Sequence, residues 1–359
     1  LPGGGGKARP ANTESLVFSH HYKLDYAQQF TADCYEGGYT MLTIAESDAR
    51  FLVVPEDAAE VDSLPADVTV LRQPVENIYL VSTSVMDLLL HLDALDSVAF
   101  SGTKAEGWYL PEVQQAMKEG KIAYAGKYSA PDYEQILAAG CRLAIENTMI
   151  LHTPEVKEQL EHFGIPVLVE RSSYESGPLA RMEWIKLYAA LLDKEDEAEA
   201  LFNEKMDSVA DVLEQQPTGK TVAFFYITSS GAVNVRKSTD YVAKCVTIAG
   251  GDYVSFDESA EDNAQSTINI QMESFYHGAV DADVLIYNSI IDGELHTLDE
   301  LVALDPLMAD FKAVKSGNVW CLTKNFYQES LELSDLILDV NHALNDAPDT
   351  AFHFLTRMK

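Results

Sequence analysis

The chain has 359 residues, which is too many for one ordinary core and fits two domains of normal size. Hydrophobic residues make up 47% of the sequence, so each domain can bury a core. Asp and Glu number 57 against 25 Lys and Arg, and the net charge of −32 argues against nucleic acid or an anionic membrane surface as a partner. A cationic protein surface, or a cationic or metal-bearing ligand, remains compatible with this charge.

The first part of the chain predicts a leader and a β-rich segment. Residues 1–15 are rich in Gly and Pro and predict a flexible leader. From Leu16 to Val75, short β-type runs alternate with turns, and Gly37-Gly38 predicts a hairpin turn. From Asn77 onward, strands alternate with helices of about ten residues, which indicates a mainly parallel α/β sheet. We therefore predict an N-terminal α/β lobe with a β-rich start over residues 16–192.

The middle of the chain carries a long helical stretch. Pro178 can occupy a first helical turn, and apolar residues continue at helical spacing to Leu192. Asp193 then predicts an N-cap, so a separate helix over 193–216 would join two lobes. From Lys194 to Gln215, that helix would be roughly 33 Å long, which is about the width of one lobe.

The second half repeats the organisation of the first. After Gly219 strands and helices alternate again, which predicts a C-terminal α/β lobe over 217–345, followed by a tail over 346–359. No apolar run reaches the length of about 18 residues that a membrane-spanning helix needs.

Cysteine and histidine spacing indicates neither a metal site nor a catalytic one. The four cysteines lie far apart without a CxxC pair, so they are either free thiols or include one long-range disulfide: Cys34, Cys141, Cys245 and Cys321. The nine histidines form no HxH or HExxH motif, although His152 or His296 could serve as a haem ligand. No phosphate-binding glycine loop and no GxSxG motif occurs. We expect no catalytic residues and no resident cofactor.

Several segments together resemble one protein family. They are GKYSAPDYEQILAAGCRLAIEN, FGIPVLV, PLARMEWIKLYAALLDKEDEAEALF, IAGG and MESFYHGAVDADVLIY. In these segments the chain resembles substrate-binding proteins of bacterial ABC importers, in the class with a single backbone helix, which bind ferric siderophores, haem or cobalamin. The resemblance covers about Asn77 to Asn345. Departures from the family pattern are Arg142 in place of a Pro-Asp strand start, and Ala180 and Asp193 in place of glycines.

The resemblance implies a fold and a function. The expected fold is α/β, with two Rossmann-like lobes of parallel-rich sheets joined by one long α-helix and a ligand cleft between the lobes. The expected function is that of a monomeric, non-enzymatic receptor that delivers an iron chelate, haem or corrinoid to an ABC importer permease. Its cargo could carry iron or cobalt. Glu134 and Glu273 match the family's two permease-docking glutamates, one on each lobe.

The resemblance also implies a location, and two other functions stay open beside it. The protein is expected to be extracytoplasmic, either periplasmic or lipid-anchored on the cell surface, although the given sequence holds no export signal. The first alternative is an enzyme on the same scaffold, such as a chelatase or a nitrogenase-like subunit. The second alternative is a surface interaction module.

Candidate ligand-binding residues follow the strand ends, where α/β sheets bind ligands. Aromatic side chains offer flat contact area, and Arg236 can bind an anion in a bidentate manner. Core packing is the alternative for each aromatic residue, and an ion pair with a nearby Glu is the alternative for Arg181. The first lobe contributes Ser82, Thr83, Trp108, Tyr128, Asn147, Met149, Tyr174 and Glu175. The remaining candidates are Arg181, Tyr226, Thr228, Arg236, Tyr241, Asn288, Phe326 and Tyr327.

Overall fold

The structure is a computed structural model that describes residues 15–47, 49–259 and 265–359. The predicted leader lies almost entirely outside these residues. The chain forms two compact units. Unit 1 comprises the chain up to Glu175 together with Glu183–Ala200, and unit 2 comprises Ser176–Met182 and Leu201–Lys359. The chain therefore passes briefly into unit 2 and back before it enters unit 2 for the second time.

Unit 1 begins with a five-stranded sheet in the order β1-β2-β3-β4-β5. Its pairings are antiparallel except for the parallel pair β4–β5. Gly37 and Gly38 both have positive φ, at 86° and 83°, and form the turn between β2 and β3, as predicted. The strands are Phe18–His21 (β1), Phe30–Tyr35 (β2), Thr40–Ile44 (β3), Arg50–Val54 (β4) and Val68–Arg72 (β5).

The second sheet of unit 1 is entirely parallel and has the order β10-β9-β6-β7-β8. Strands β6, β9 and β10 are fully buried, as is usual for a parallel sheet with helices on its faces. The strands are Ile78–Leu80 (β6), Val98–Ser101 (β7), Ala123–Tyr124 (β8), Leu143–Glu146 (β9) and Val167–Val169 (β10). The helices are Thr83–His91 (α1), Pro111–Lys118 (α2), Tyr133–Ala138 (α3) and Pro154–His162 (α4). The predicted α/β alternation in this half is confirmed.

Three helices occupy the middle of the chain, where the sequence predicts two. They are Pro178–Glu183 (α5), Ile185–Leu192 (α6) and Glu195–Glu214 (α7). Asp193 was predicted to be an N-cap, but it is the C-cap of α6, with a left-handed φ of 59°. Helix α7 begins two residues later, and the boundary between the units falls within it, after Ala200.

Unit 2 contains a seven-stranded mixed sheet with the order β14-β12-β11-β15-β16-β17, in which β13 also pairs with β11. The strands are Thr221–Ile227 (β11), Val233–Arg236 (β12), Asp252–Tyr253 (β13), Thr267–Ile270 (β14), Val284–Tyr287 (β15), Val319–Leu322 (β16) and Leu355–Arg357 (β17). The helices are Tyr241–Ile248 (α8), Met272–Ala279 (α9), Leu298–Leu304 (α10), Lys312–Ser316 (α11) and Leu333–Leu344 (α12).

The C-terminal segment is part of the unit 2 sheet. The sequence predicts a tail over 346–359, whereas β17 pairs antiparallel with β16 within that range. Aromatic side chains fill the core beneath this sheet, with the ring centroids of Phe225 and Phe275 4.6 Å apart and those of Phe275 and Phe311 5.5 Å apart. All four cysteines are free thiols. Within the described part of the chain, no helix is both long enough and apolar enough to cross a membrane.

Candidate functional site

The carboxyl ends of the parallel strands in unit 2 bring several predicted residues together. Asn288 directly follows β15, and Tyr327 follows β16, its neighbour in the sheet. The Tyr327 hydroxyl donates to Asn288 Oδ1 at 2.6 Å, and the same oxygen accepts the Ile290 amide at 3.2 Å. The amide side chain of Asn288 is thereby fixed at the sheet edge.

A stack of a cation and aromatic rings lies in this part of unit 2. The Arg181 guanidinium carbon is 3.7 Å from the centroid of the Tyr241 ring. The Tyr241 ring is nearly parallel to Phe326, with an interplanar angle of 10° and centroids 6.2 Å apart. Phe326 in turn packs edge-on against Tyr327. Helix α8, which starts at Tyr241, therefore presents its first residue to the same group of side chains.

Arg236 is the second cation of this group. It ends β12, and its Nη1 atom is 3.3 Å from Asp240 Oδ2. Burial opposes the charge of Arg236, but Asp240 and Tyr327 outweigh burial and hold the pKa of Arg236 above its usual value. Burial likewise raises the pKa of Tyr241 to about 12. At neutral pH the site therefore combines charged arginines with neutral tyrosines that can donate hydrogen bonds.

Some polar atoms at this edge have no hydrogen-bond partner among the described residues. They are Arg236 Nε, Ser289 Oγ and Thr323 Oγ1, and all three are buried. Ser289 and Thr323 lie just past the ends of β15 and β16. Buried polar groups are usually paired, so these atoms call for a further partner such as a bound water or a ligand. We define the unit 2 site as Arg181, Arg236, Tyr241, Asn288 and Tyr327.

Unit 1 carries a second group of strand-end side chains. Ser82, at the end of β6, and Ser84 both donate to the buried carboxylate of Glu170, each at 3.4 Å. Asn147 follows β9, and its Oδ1 atom accepts the Met149 amide at 2.9 Å. Because β10, β9 and β6 are neighbours and parallel, these residues share one edge of the sheet.

The exposed members of this group are apolar or aromatic. Met149 is 45% exposed, and Tyr174 is 54% exposed. The Arg171 guanidinium carbon lies 4.2 Å from the Tyr174 ring centroid, which fixes one face of that ring. Thr83 and Tyr128 are partly buried; Thr83 begins α1, and Tyr128 packs against the core of unit 1.

For five predicted site residues the structure shows burial or local hydrogen bonds. Trp108 is 1% exposed and donates its indole N–H to Ser101 Oγ, so it belongs to the core of unit 1. Glu175 is buried, and its carboxylate accepts the backbone amides of Gln28 and Gln29. The other three residues lie in unit 2: Phe326 is buried beneath the stacked Tyr241 ring, Tyr226 packs against the core, and the Thr228 hydroxyl bonds to Ser230.

Sequence reasoning overlooked three residues at these edges. Asp240 pairs with Arg236 and caps α8 by accepting the Val242 amide at 2.9 Å. Glu170 and Arg171 directly follow β10 and are both buried. An acidic residue just before a predicted helix was a usable signal for Asp240. Burial of Glu170 and Arg171 has no signature in the local sequence.

Two further predictions concern a metal site and the exposed residues Glu134 and Glu273. In the described ranges, no three His, Cys, Asp or Glu side chains are grouped so that they could hold a metal ion. Glu134 and Glu273 are both exposed, and each lies in the first turn of its helix, α3 and α9 respectively. This position leaves both carboxylates accessible to a partner.

The architecture and the sites together define a class of protein. Two α/β units, a helix with residues in both units, and polar side chains at the carboxyl ends of the parallel strands in each unit are the features of a two-lobed solute-binding protein. The chain belongs to the periplasmic binding protein family, whose sequence model matches residues 78–325. The family resemblance drawn from the sequence motifs is confirmed.

Three similar proteins illustrate the match. An uncharacterized lipoprotein of Methanocaldococcus jannaschii is 28% identical over 243 residues; the match covers 66% of this chain and only 55% of that protein's length. The periplasmic haem-binding protein of Vibrio cholerae has a TM-score of 0.57 at 18% identity, over 72% of this chain and 96% of its own. The periplasmic vitamin B12-binding protein of the same organism has a TM-score of 0.53 at 13% identity, over 76% of this chain and 98% of its own.

The family match shows the general class, and the likenesses to solved structures show the fold. Members of the family are extracytoplasmic binding proteins and not enzymes. Membership agrees with the expectation of a non-enzymatic protein and removes the enzymatic alternative. The predicted fold class, two α/β lobes with parallel-rich sheets, is also confirmed.

Proposed function

We propose that this protein is an extracytoplasmic receptor that captures an iron–siderophore chelate, haem or a corrinoid and delivers it to an ABC importer permease. The unit 2 site carries the proposal, because it combines two arginines with two tyrosines at a sheet edge that binds ligands in this fold. Flat aromatic rings suit a large chelate or a macrocycle. Lipid anchoring on the cell surface belongs to the same proposal and is supported by the lipoprotein name of one relative.

The charges of the unit 2 site favour an anionic ligand. A chain with a net charge of −32 repels anions at a distance, so an anion must be recognised by local cations. Arg181 and Arg236 supply those cations, and a guanidinium can bind a carboxylate or a phenolate through two parallel hydrogen bonds. In unit 1 the residues that we retain as proposed ligand contacts are Ser82, Thr83, Tyr128, Asn147, Met149 and Tyr174.

Ligand titration tests the proposal. Haemin, cyanocobalamin and a ferric siderophore are added separately to the purified protein, and absorbance and melting temperature are followed. We expect one of them to bind, and we expect Arg236→Ala to weaken that binding by about tenfold or more, because it removes a charge-assisted contact. Arg142→Ala is the matched control, since Arg142 is exposed next to the opposite end of β9. Absence of binding to all three ligands would contradict the proposal.

Docking on the permease is a separate part of the proposed function. Exposed ion pairs contribute only about 0–1 kcal/mol each, so Glu134 and Glu273 would mainly set the orientation of the complex. We expect the double variant Glu134→Ala/Glu273→Ala to lose uptake into vesicles that contain the importer, with unchanged ligand affinity. The control is Glu112→Ala/Glu155→Ala, which removes two other exposed carboxylates from first helical turns. Equal uptake by both double variants would refute the docking role.

A further inference from the structure

Two buried glutamates bind an uninterrupted run of backbone amides from the N-terminal region. The amides belong to Asp25–Gln29, the segment just before β2. The first three donate to the Glu183 carboxylate at 2.7–2.8 Å. The last two donate to the Glu175 carboxylate, each at 2.9 Å in its shorter contact. We call this arrangement of five amides and two carboxylates the amide clamp.

The amide clamp is a stable attachment because both carboxylates are buried and each accepts a further hydrogen bond from a side chain. Glu183 is 0% exposed and also accepts a hydrogen bond from the Lys186 ammonium at 3.0 Å. Glu175 also accepts the Trp184 indole N–H at 2.8 Å. Phe30, the first residue of β2, packs on the Trp184 ring with centroids 5.0 Å apart. Charge-assisted hydrogen bonds in a buried setting are the strongest kind available to a protein, so this attachment is stable.

The two glutamates flank a segment that belongs to the other unit. Glu175 and Glu183 are part of unit 1, whereas Ser176–Met182 between them is part of unit 2. Within unit 2 that segment makes two contacts with α8. The Lys244 ammonium donates to the Ser176 carbonyl, and the Arg181 guanidinium lies over the Tyr241 ring.

Arg181 therefore sits on a short segment whose two ends are both held by the clamp. We propose that Glu175 and Glu183 are positioning residues that, through the amides of Asp25–Gln29, set the location of Arg181 in the unit 2 site. This inference rests on the proposed function, because it assigns the N-terminal sheet a part in ligand recognition. The N-terminal sheet then influences ligand affinity only by positioning Arg181, without contacting the ligand.

The physical basis is the short tether. Helix α5 (Pro178–Glu183) makes most of the segment Ser176–Met182 rigid, and with both flanking residues fixed the helix has little freedom to move, so the entropy lost on holding Arg181 over Tyr241 is small. Release of either end allows the helix to shift. Arg181 would then be displaced from the Tyr241 ring for part of the time, and a ligand would have to bring it back at a cost in affinity.

Hydrogen–deuterium exchange tests the positioning role without any ligand. Glu175→Gln weakens one end of the clamp, and Gln28→Pro removes one of its amide donors while both carboxylates remain. We expect backbone amides of 176–182 to exchange at least about tenfold faster in either variant, because local opening becomes easier. Asp283→Asn is the control, since Asp283 is also a carboxylate that accepts a backbone amide and a lysine, but lies by the amino end of β15. Unchanged exchange over 176–182 in both clamp variants would overturn the inference.

A double-mutant cycle with haemin, a tetrapyrrole with two carboxylates, distinguishes positioning from general damage. We expect Glu175→Gln to weaken haemin binding about fivefold in the native chain but less than about twofold in the Arg181→Ala background, because the effect passes through Arg181. Equal losses in both backgrounds would contradict the proposal. If the native chain binds no haemin, the proposed function loses support for this ligand class, while the exchange experiment still decides the role of the clamp.

Discussion

Glu146 is a buried ionisable residue that receives no hydrogen bond from the described part of the chain. It ends β9, is 0% exposed, and neither of its carboxyl oxygens has a hydrogen-bond partner among the described residues. Burial raises the pKa of Glu146 to about 8. Burial raises the pKa values of Tyr79 on β6 and Tyr133 on α3, and a charge on Glu146 raises them further. The carboxyl group is therefore neutral in the folded protein over most of the physiological pH range.

The pH dependence of stability follows from this difference in pKa. An unfolded Glu ionises near its ordinary value of 4.5, whereas folded Glu146 ionises at about 8. Between these two values the folded state binds more protons than the unfolded state, so stability falls as the pH rises. We expect the native protein to lose on the order of 2–4 kcal/mol of unfolding free energy relative to Glu146→Gln between pH 5 and pH 8. Urea unfolding at pH 5, 6, 7 and 8 measures this difference.

A second substitution controls for the general effect of losing one negative charge. Glu155→Gln removes an exposed carboxylate in the first turn of α4. Its unfolding free energy is expected to run parallel to that of the native protein at all four pH values. If the Glu146→Gln curve is also parallel, the folded carboxyl of Glu146 is already ionised at neutral pH.

At this scale, the sequence indicates which residues follow an apolar strand better than it indicates burial. Asn288 was chosen because a polar residue directly after an apolar strand lies at the carboxyl edge of a parallel sheet. Arg236 was chosen because a guanidinium can bind an anion, although the strand that it ends, β12, was not predicted. Glu175 also follows a strand, yet it binds amides that lie 146 and 147 residues earlier in the chain. No local pattern encodes such a contact. The same limit applies to Trp108, since an aromatic residue in a loop is as suitable for a core as for a ligand.

The junction between α6 and α7 shows how one backbone conformation sets element boundaries. Asp193 has φ 59° and ψ 46°, the left-handed conformation that ends many helices at a Gly. Its neighbour Lys194 donates its amide to the Ala189 carbonyl at 3.1 Å, which satisfies one of the last acceptors of α6. The sequence suggested an N-cap because Asp favours that position, but Asp also tolerates left-handed φ better than most residues.

Substitution of Asp193 tests this assignment. We expect Asp193→Gly to be neutral or to stabilise the protein by up to about 1 kcal/mol, since Gly adopts positive φ without steric strain. Asp193→Val is expected to destabilise it by roughly 1–2 kcal/mol, because a β-branched side chain is strained there. Chemical denaturation measures both. An N-cap role predicts instead a loss of a few tenths of a kcal/mol on Asp193→Gly and of about 1 kcal/mol on Asp193→Val.

Element prediction was most successful where apolar runs are long. The alternation of strands and helices in both halves was recognised, because burial on both faces of a parallel sheet leaves continuous apolar sequence. Strands β12 and β14 were missed. They read VNVR and TINI, pair antiparallel, and carry polar residues on one face, Asn234 donating to Asn269 across the pair at 2.8 Å. Such strands are stabilised by their partner, and their own sequence resembles a loop.

The excess of acidic residues affects the stability of the whole molecule. With 57 acidic and 25 basic residues, most carboxylates have no cation to pair with, and their mutual repulsion disfavours the folded chain. Salt screens repulsion between exposed charges, while buried pairs such as Lys186–Glu183 are screened much less. Salt also weakens exposed ion pairs, but these contribute little to stability. Their weakening therefore does not offset the stability gained when repulsion between carboxylates is screened.

Salt should therefore stabilise this protein. We expect the melting temperature to rise by a few degrees between 10 mM and 300 mM NaCl. This rise corresponds to an increase of about 1 kcal/mol or more in the free energy of unfolding. KCl at the same ionic strength should give the same rise, which separates screening from specific ion binding. Sulfate is avoided because it also strengthens the hydrophobic effect. A melting temperature that stays constant or falls would show that the charges are already balanced locally.

The amide clamp has a consequence for the order in which the chain folds. During synthesis the Asp25–Gln29 amides emerge early, but their acceptors lie 146 to 158 residues later. Until Glu183 has been made, these amides can bind only water, and Phe30 lacks the Trp184 ring on which it packs. Contacts of such high sequence separation form slowly, because a long loop must close before any of them exists. The N-terminal sheet, although synthesised first, is therefore among the last parts of unit 1 to reach its native packing.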